Sequence, residues 1–325
     1  MSRARFAVLS LAGLAALAAC SWEPAIDDGE GITCRGELDI PDEALREALV
    51  AEIGVEPEEG ADPVVLAEDL VVLHGLNLRD AGIVDLTGLE CAQGLRTLGL
   101  GGNEIEDLRP LSELYWLEEL DVSANAIVDF SRLSGLHRLT TLAVDANLIT
   151  DLSPVAELTQ LRHFDASRNQ LTDIGPLAAL TELETLELLD NQIEDLEPLA
   201  ELDQLIALDL QGNEIADLGP LSGLGKLQHL KLNVNEIDST KDLGELTELR
   251  ELELGDNQLE RIEGLSGMKK LLELRAPRNQ LVSADGVGGL TAMQTLDLAE
   301  NQVSDISEVA GAKELRRVFL MSNDV

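Results

Sequence analysis

Aromatic side chains are nearly missing from this chain, which has two Trp, one Tyr and four Phe among 325 residues. Interfaces built on aromatic anchors take most of their energy from Trp, Tyr and Arg, so a tight, mainly apolar complex is disfavoured. Positive charge is also scarce: 23 Lys and Arg stand against 62 Asp and Glu, a formal net charge of -39. Such a surface repels the phosphates of nucleic acid and of anionic lipid, which excludes nucleic acid as a partner and favours cationic ones. Lysine is absent between Cys20 and Gly225, where nine arginines supply the positive charge. Lys226, Lys231, Lys241, Lys269 and Lys270 come later, with Arg250, Arg261, Arg275 and Arg278. Disorder is excluded by a hydrophobic content of 45%. Recognisable catalytic machinery is lacking as well. No Ser or Cys nucleophile has a base and an orienting group, and "LGLGGN" at 98–103 is a repeat with two small residues, not a phosphate loop. The expectation is a non-enzymatic protein with no cofactor.

Cysteines number three. The first lies at the end of an N-terminal segment with Arg3, Arg5 and an apolar run from Phe6 to Ala19, too short to span a bilayer, which reads as an export signal over 1–19. Leu17-Ala18-Ala19-Cys20 resembles the lipobox of bacterial lipoproteins. That resemblance implies lipidation of Cys20, attachment to the membrane only through the lipid, and a place in the cell envelope; Ser21 implies the outer membrane in a Gram-negative source. Export exposes Cys34 and Cys91 to oxidation, and both fall at one end of the folded part. A disulfide between them is therefore expected, with two buried free thiols as the alternative.

An acidic, Gly-containing stretch over 20–36 has no periodicity and reads as a tether. Over 37–72, Ile40, Leu45, Leu49 and Ile53 recur at helical spacing after Asp42 and before Gly54, and a second short helix is expected around 63–69. From Leu73 a 22-residue unit repeats eleven times without insertion, as in Leu161 to Glu182, and half a unit follows from Leu315. A fixed period overrides a domain count based on length. Alternation around Leu208 and Leu210 predicts strands of about four residues, stacked in parallel at about 4.8 Å per step into a rod roughly 50 Å long. The final half unit predicts fraying or association at that end.

Asparagine recurs in register at Asn103, Asn125, Asn147, Asn169, Asn191, Asn213, Asn235, Asn257, Asn279, Asn301 and Asn323. Where the chain turns after each strand, backbone groups lose their ladder partners, and an amide side chain can both donate and accept there. These asparagines are expected to bridge successive turns. Asp85, Asp107, Asp129, Asp151, Asp173, Asp195 and Asp217 also recur, five of them three residues before a proline. A carboxylate capping a short 3₁₀ turn explains that pattern better than catalysis.

The 22-residue unit with "NxIxDLxPLxxL", preceded by "PDEALREAL", resembles the internalin family of bacterial surface proteins. The resemblance covers 40–325. It implies an α/β solenoid: a leucine-rich-repeat rod over 73–325 with a parallel concave sheet, a 3₁₀ or extended convex side and an N-terminal helical cap. It also implies binding of a protein partner on the concave face. Host invasion is not implied, because the immunoglobulin-like region and the surface anchor usual in that family are not recognised.

One concave position per unit reads Asn77, Gly99, Asp121, Ala143, Asp165, Glu187, Asp209, Lys231, Glu253, Arg275, Asp297 and Phe319. Asp121, Asp165, Glu187 and Asp209 are the candidate contacts for a basic protein surface, pointing away from the leucine core. A structural or adhesive envelope spacer is the alternative reading. His163, Asp165 and Glu187 are the candidate metal ligands for a third reading, a metal-dependent activity. Tyr115 and Trp116 occupy a slot between repeats otherwise filled by polar pairs such as Thr159-Gln160. There they either form a contact point or cover neighbouring leucines.

Overall fold

The computed structural model describes residues 34–54 and 64–325. The expected export signal over 1–19, Cys20 and most of the expected tether lie outside the described residues. Helix α1 (Glu43–Ile53) begins where the sequence places it: Asp42 Oδ1 accepts the N-H of Leu45 at 2.8 Å, and Gly54 ends the helix in the left-handed region, its N-H donating to Val50. Leu45 and Leu49 are buried by its inner face. Asp42 also accepts the N-H groups of Val84 (2.8 Å) and Asp85 (2.9 Å) through Oδ2, so one carboxylate caps the helix and ties it to the first repeat. Partial burial would raise the Asp42 carboxyl, but the N-H donors of Asp85, Leu45, Val84 and Ala44 outweigh it and hold its pKa below the usual value. The second helix, α2 (Ala67–Leu70), is a single turn that starts later than the sequence suggested. Cys34 and Cys91 are joined in a disulfide, Cα to Cα 5.2 Å, which fastens the stretch just before the cap to the first repeat.

Twelve strands follow: β1 (Gly75–Asn77), β2 (Thr97–Gly99), β3 (Glu119–Asp121), β4 (Thr141–Ala143), β5 (His163–Asp165), β6 (Thr185–Glu187), β7 (Ala207–Asp209), β8 (His229–Lys231), β9 (Glu251–Glu253), β10 (Glu273–Arg275), β11 (Thr295–Asp297) and β12 (Arg317–Phe319). They form one parallel sheet in sequence order, with every residue opposite the one 22 positions later, as in Asp165 with Glu187. Strands have three residues, not four, and end just before the second inward leucine, as β7 does before Leu210.

That turn shows what the asparagines do. Asn213 is 8% exposed; its Oδ1 accepts the N-H of Ile193 at 3.0 Å, and its Nδ2 donates to Leu188 (3.0 Å) and Leu210 (3.1 Å) carbonyls. Each amide thus reaches the backbone of the preceding turn, not the side chain of the next asparagine. The residue before each asparagine, like Asp80 before Ala81, has positive φ, and only Gly102 and Gly212 among them are glycines. Val234, at φ 57°, is the β-branched exception. On the convex side, Asp107, Asp151, Asp173, Asp195 and Asp217 each accept the N-H two residues on, where a proline-containing 3₁₀ turn starts. These aspartates are Asx caps in position and partner.

The core is one continuous column of buried aliphatics from Leu38 to Ala312, with Phe130 and Phe164 inside it. At the far end all three residues of β12 are exposed, Val318 and Phe319 among them.

Candidate functional site

Side chains that alternate with the buried leucines project from the sheet in columns, because successive strand residues face opposite sides. Asp121, Asp165, Glu187 and Asp209 fall on one concave column, and strand pairing sets Asp165 beside Glu187 and Glu187 beside Asp209. The four are not alike. Asp121 is held by an ion pair with Arg79, and Asp209 by Lys231 at 3.1 Å. Asp165 and Glu187 have no ion pair among the described residues. Asp121, Asp165 and Asp209 also use Oδ1 to accept the N-H of Ser123 (2.8 Å), Ser167 (2.9 Å) and Gln211 (3.1 Å). These three therefore help shape the strand exit as well as facing solvent, a role not foreseen from their outward direction.

Asp145 completes the centre and was missed in the sequence. It stands two residues beyond Ala143, where the alternation continues past the strand, and so fills the gap that Ala143 leaves between Asp121 and Asp165. Its carboxyl pKa is raised, first by partial burial and then by the charges of Asp165 and Asp121, against a smaller opposing effect of Arg168. Glu187 keeps solvent contact, yet its carboxyl is also raised, by desolvation among its neighbours and then by Asp165 and Asp209, with Lys231 opposing. Asp145, Asp165 and Glu187 are thus a half-desolvated group of like charges with little compensation.

Three His, Cys, Asp or Glu side chains able to hold a metal ion together are not found among the described residues. His163, Asp165 and Glu187 therefore do not form the metal site considered from sequence. Elsewhere a hollow of about 600 Å³ is lined by Asp238, Ser239, Gln258, Glu260, Arg261, Glu263 and Gln280. It offers a small molecule little apolar surface to bury.

In the later turns cations answer the acids. Arg275 contacts Glu251 at 3.1 Å as well as Glu253 and Glu273, and His229 Nδ1 lies 3.2 Å from Glu251. Burial alone would lower the Arg275 pKa; these carboxylates reverse that and raise it. Hydrogen bonding to Asp209 raises that of Lys231.

Residues 159–201 match the family described as Leucine Rich repeats (2 copies). Among solved structures, an internalin (inlF) from Listeria monocytogenes is 31% identical over 87% of this chain and 83% of its own, with a TM-score of 0.83. Internalin C2 from the same organism is 34% identical over 64% of this chain and 91% of its own, with a TM-score of 0.61. The leucine-rich-repeat ectodomain of a plant membrane receptor kinase from Arabidopsis thaliana, solved in complex with Casparian strip integrity factor 2, is 25% identical over 77% of this chain and 32% of its own, with a TM-score of 0.64. No curated protein matches the chain.

Proposed function

We propose that this chain, which belongs to the internalin family of leucine-rich-repeat proteins, is a lipid-anchored envelope protein that binds the basic surface of another protein on its concave sheet, centred on Asp145, Asp165 and Glu187. The repeat solenoid is a fold typical of protein-protein interaction, and the receptor ectodomain above was solved with a bound factor. One observation carries the choice of surface: these three carboxylates have no ion pair among the described residues, whereas Lys231 and Arg275, later on the column of Asp165 and Glu187, pair with the acids around them. A partner's lysines or arginines would relieve their mutual repulsion and lower the raised pKa values of Asp145 and Glu187, so binding releases protons in mildly acidic buffer and weakens with salt. The lipid anchor rests on the Cys20 motif, and incorporation of labelled fatty acid that is lost in Cys20→Ala tests it.

The concave reading is tested with a partner recovered from the envelope by crosslinking. Asp165→Asn with Glu187→Gln removes two charges, while the amide oxygen introduced at position 165 can still accept the Ser167 N-H, so the fold is kept. The expected loss in affinity is at least tenfold at low salt. Equal affinity for the double variant sinks the proposal.

A further inference from the structure

A second surface lies on the flank of the rod, in the segment that leads into β3. The fold does not require aromatic residues there. The corresponding pairs in later turns carry no Phe, Tyr or Trp: the next is His137-Arg138, and others are Thr159-Gln160, Thr181-Glu182, Asp203-Gln204, Gly225-Lys226 and Thr247-Glu248. Tyr115, the chain's only tyrosine, and Trp116, one of its two tryptophans, occupy that slot in one unit alone. They are 51% and 48% exposed. Nor are they needed to cover leucines: Leu158 and Leu161, which flank Thr159-Gln160, are buried as fully as Leu114 and Leu117.

Arg138, from the next turn, lies over the Trp116 ring at 4.1 Å from its centroid, and Arg96, from the turn before, is 5.9 Å away. Tyr115 donates its hydroxyl to Glu113 at 2.6 Å, which fixes the ring. Arg96 and Arg162 on either side hold Glu118 and Glu184. Arg138 has no ion pair among the described residues, in a chain with 62 acids. An arginine stacked by its face keeps its edge N-H donors free, and those donors fit a carboxylate in two-point fashion.

The geometry points to Tyr115, Trp116 and Arg138 as a preorganised docking point for an acidic segment of a partner protein, one that places an Asp or Glu on the Arg138 edge and an apolar side chain against the exposed rings. Trp, Tyr and Arg are the residue types that dominate interface energetics, and here they are gathered once in a protein otherwise poor in aromatic residues. The charge preference is opposite to that of the concave centre, so this surface stands or falls separately.

The test uses the full-length protein and a random dodecapeptide library displayed on phage. Tyr115→Thr with Trp116→Gln installs the pair that the repeat itself uses at Thr159-Gln160, so it should fold like wild type, as circular dichroism and thermal unfolding will show; Arg138→Gln is the second variant. Enriched peptides should carry Asp or Glu beside an apolar residue, and lose at least tenfold in affinity for both variants but not for Asp165→Asn with Glu187→Gln. Failure to enrich acidic peptides, or affinity unchanged by both flank variants, overturns the proposal. So does self-association of the wild type in sedimentation that the Tyr115→Thr/Trp116→Gln protein loses, because the occupant is then a second copy.

Discussion

Strands β4 to β6 and strands β8 to β10 are built from the same 22-residue unit, in the same register, over the same leucine core. They differ in what balances the acids on their concave side. Around β8 to β10, Lys231 answers Asp209 and Arg275 answers Glu251, Glu253 and Glu273. Around β4 to β6, Asp145, Asp165 and Glu187 face one another, and the carboxyl pKa values of Asp145 and Glu187 are raised. Repetition of the backbone therefore leaves charge free to vary. A stretch whose charges are satisfied internally gains little from a charged partner, whereas one left unsatisfied is poised for it.

The comparison can be broken most severely by attacking what the two stretches share. Asn169 and Asn257 are 8% and 9% exposed, and each accepts one buried N-H of the preceding turn and donates to its carbonyl. Asn169→Ala and Asn257→Ala should each cost about 2 kcal/mol in chemical denaturation, since the buried N-H of Ile149 or Ile237 loses its partner while the carbonyls of Val144 and Leu232 keep the amides of Asn147 and Asn235. Clearly different costs at the two sites would mean that the stretches differ in their backbone and not only in charge.

A change at Ala143 should convert the first stretch into the second. A lysine there lies between Asp121 and Asp165 as Lys231 lies beside Asp209, so Ala143→Lys should weaken a basic partner by about tenfold, or 1.4 kcal/mol, with little change in unfolding. The reverse conversion, Arg275→Gln, leaves Glu251, Glu253 and Glu273 without their shared cation. That variant should bind an oligolysine probe more tightly than wild type at low salt; unchanged binding would show that Arg275 contributes nothing to the balance.

Acidification separates the stretches by a smaller amount. Asp145 and Glu187 have pKa values raised in the folded state, so the folded protein holds more protons than the unfolded chain just above the ordinary carboxylate range. Their contribution favours folding as pH falls through the raised values, and is lost as pH rises through them. Both groups keep solvent contact, so the effect should be about a few tenths of a kcal/mol. The stability difference between wild type and Glu187→Gln, measured across that range, should shrink at the acid end. Asp42 behaves in the opposite sense: its depressed pKa stabilises the cap above the unfolded value, and that contribution is lost as pH falls further.

The period of 22, the inward leucines, the asparagine turns, the aspartate caps and the boundaries of α1 were legible before any coordinates, because each follows from local chemistry repeated at fixed spacing. An asparagine between aliphatic residues at every turn has one satisfactory use, and the hydrogen bonds of Asn213 are that use. The candidate site was legible only in outline. The shared column of Asp121, Asp165, Glu187 and Asp209 was legible, but not that Asp121 and Asp209 are ion-paired while Asp165 and Glu187 are not, and Asp145 escaped notice because it belongs to the next column.

Sequence alone determined which residues face the core and which face solvent, since period and polarity settle that within each unit. Tertiary structure decided which of the exposed charges are satisfied. Arg79 reaches Asp121 from two turns away and Lys231 reaches Asp209 from the next, while Arg138 turns to Trp116 and not to a carboxylate. Pairing depends on side-chain reach across stacked turns about 4.8 Å apart, and a long flexible cation can take any of several acids within that reach. The spacing of the repeat puts them side by side; only the packed arrangement selects among them.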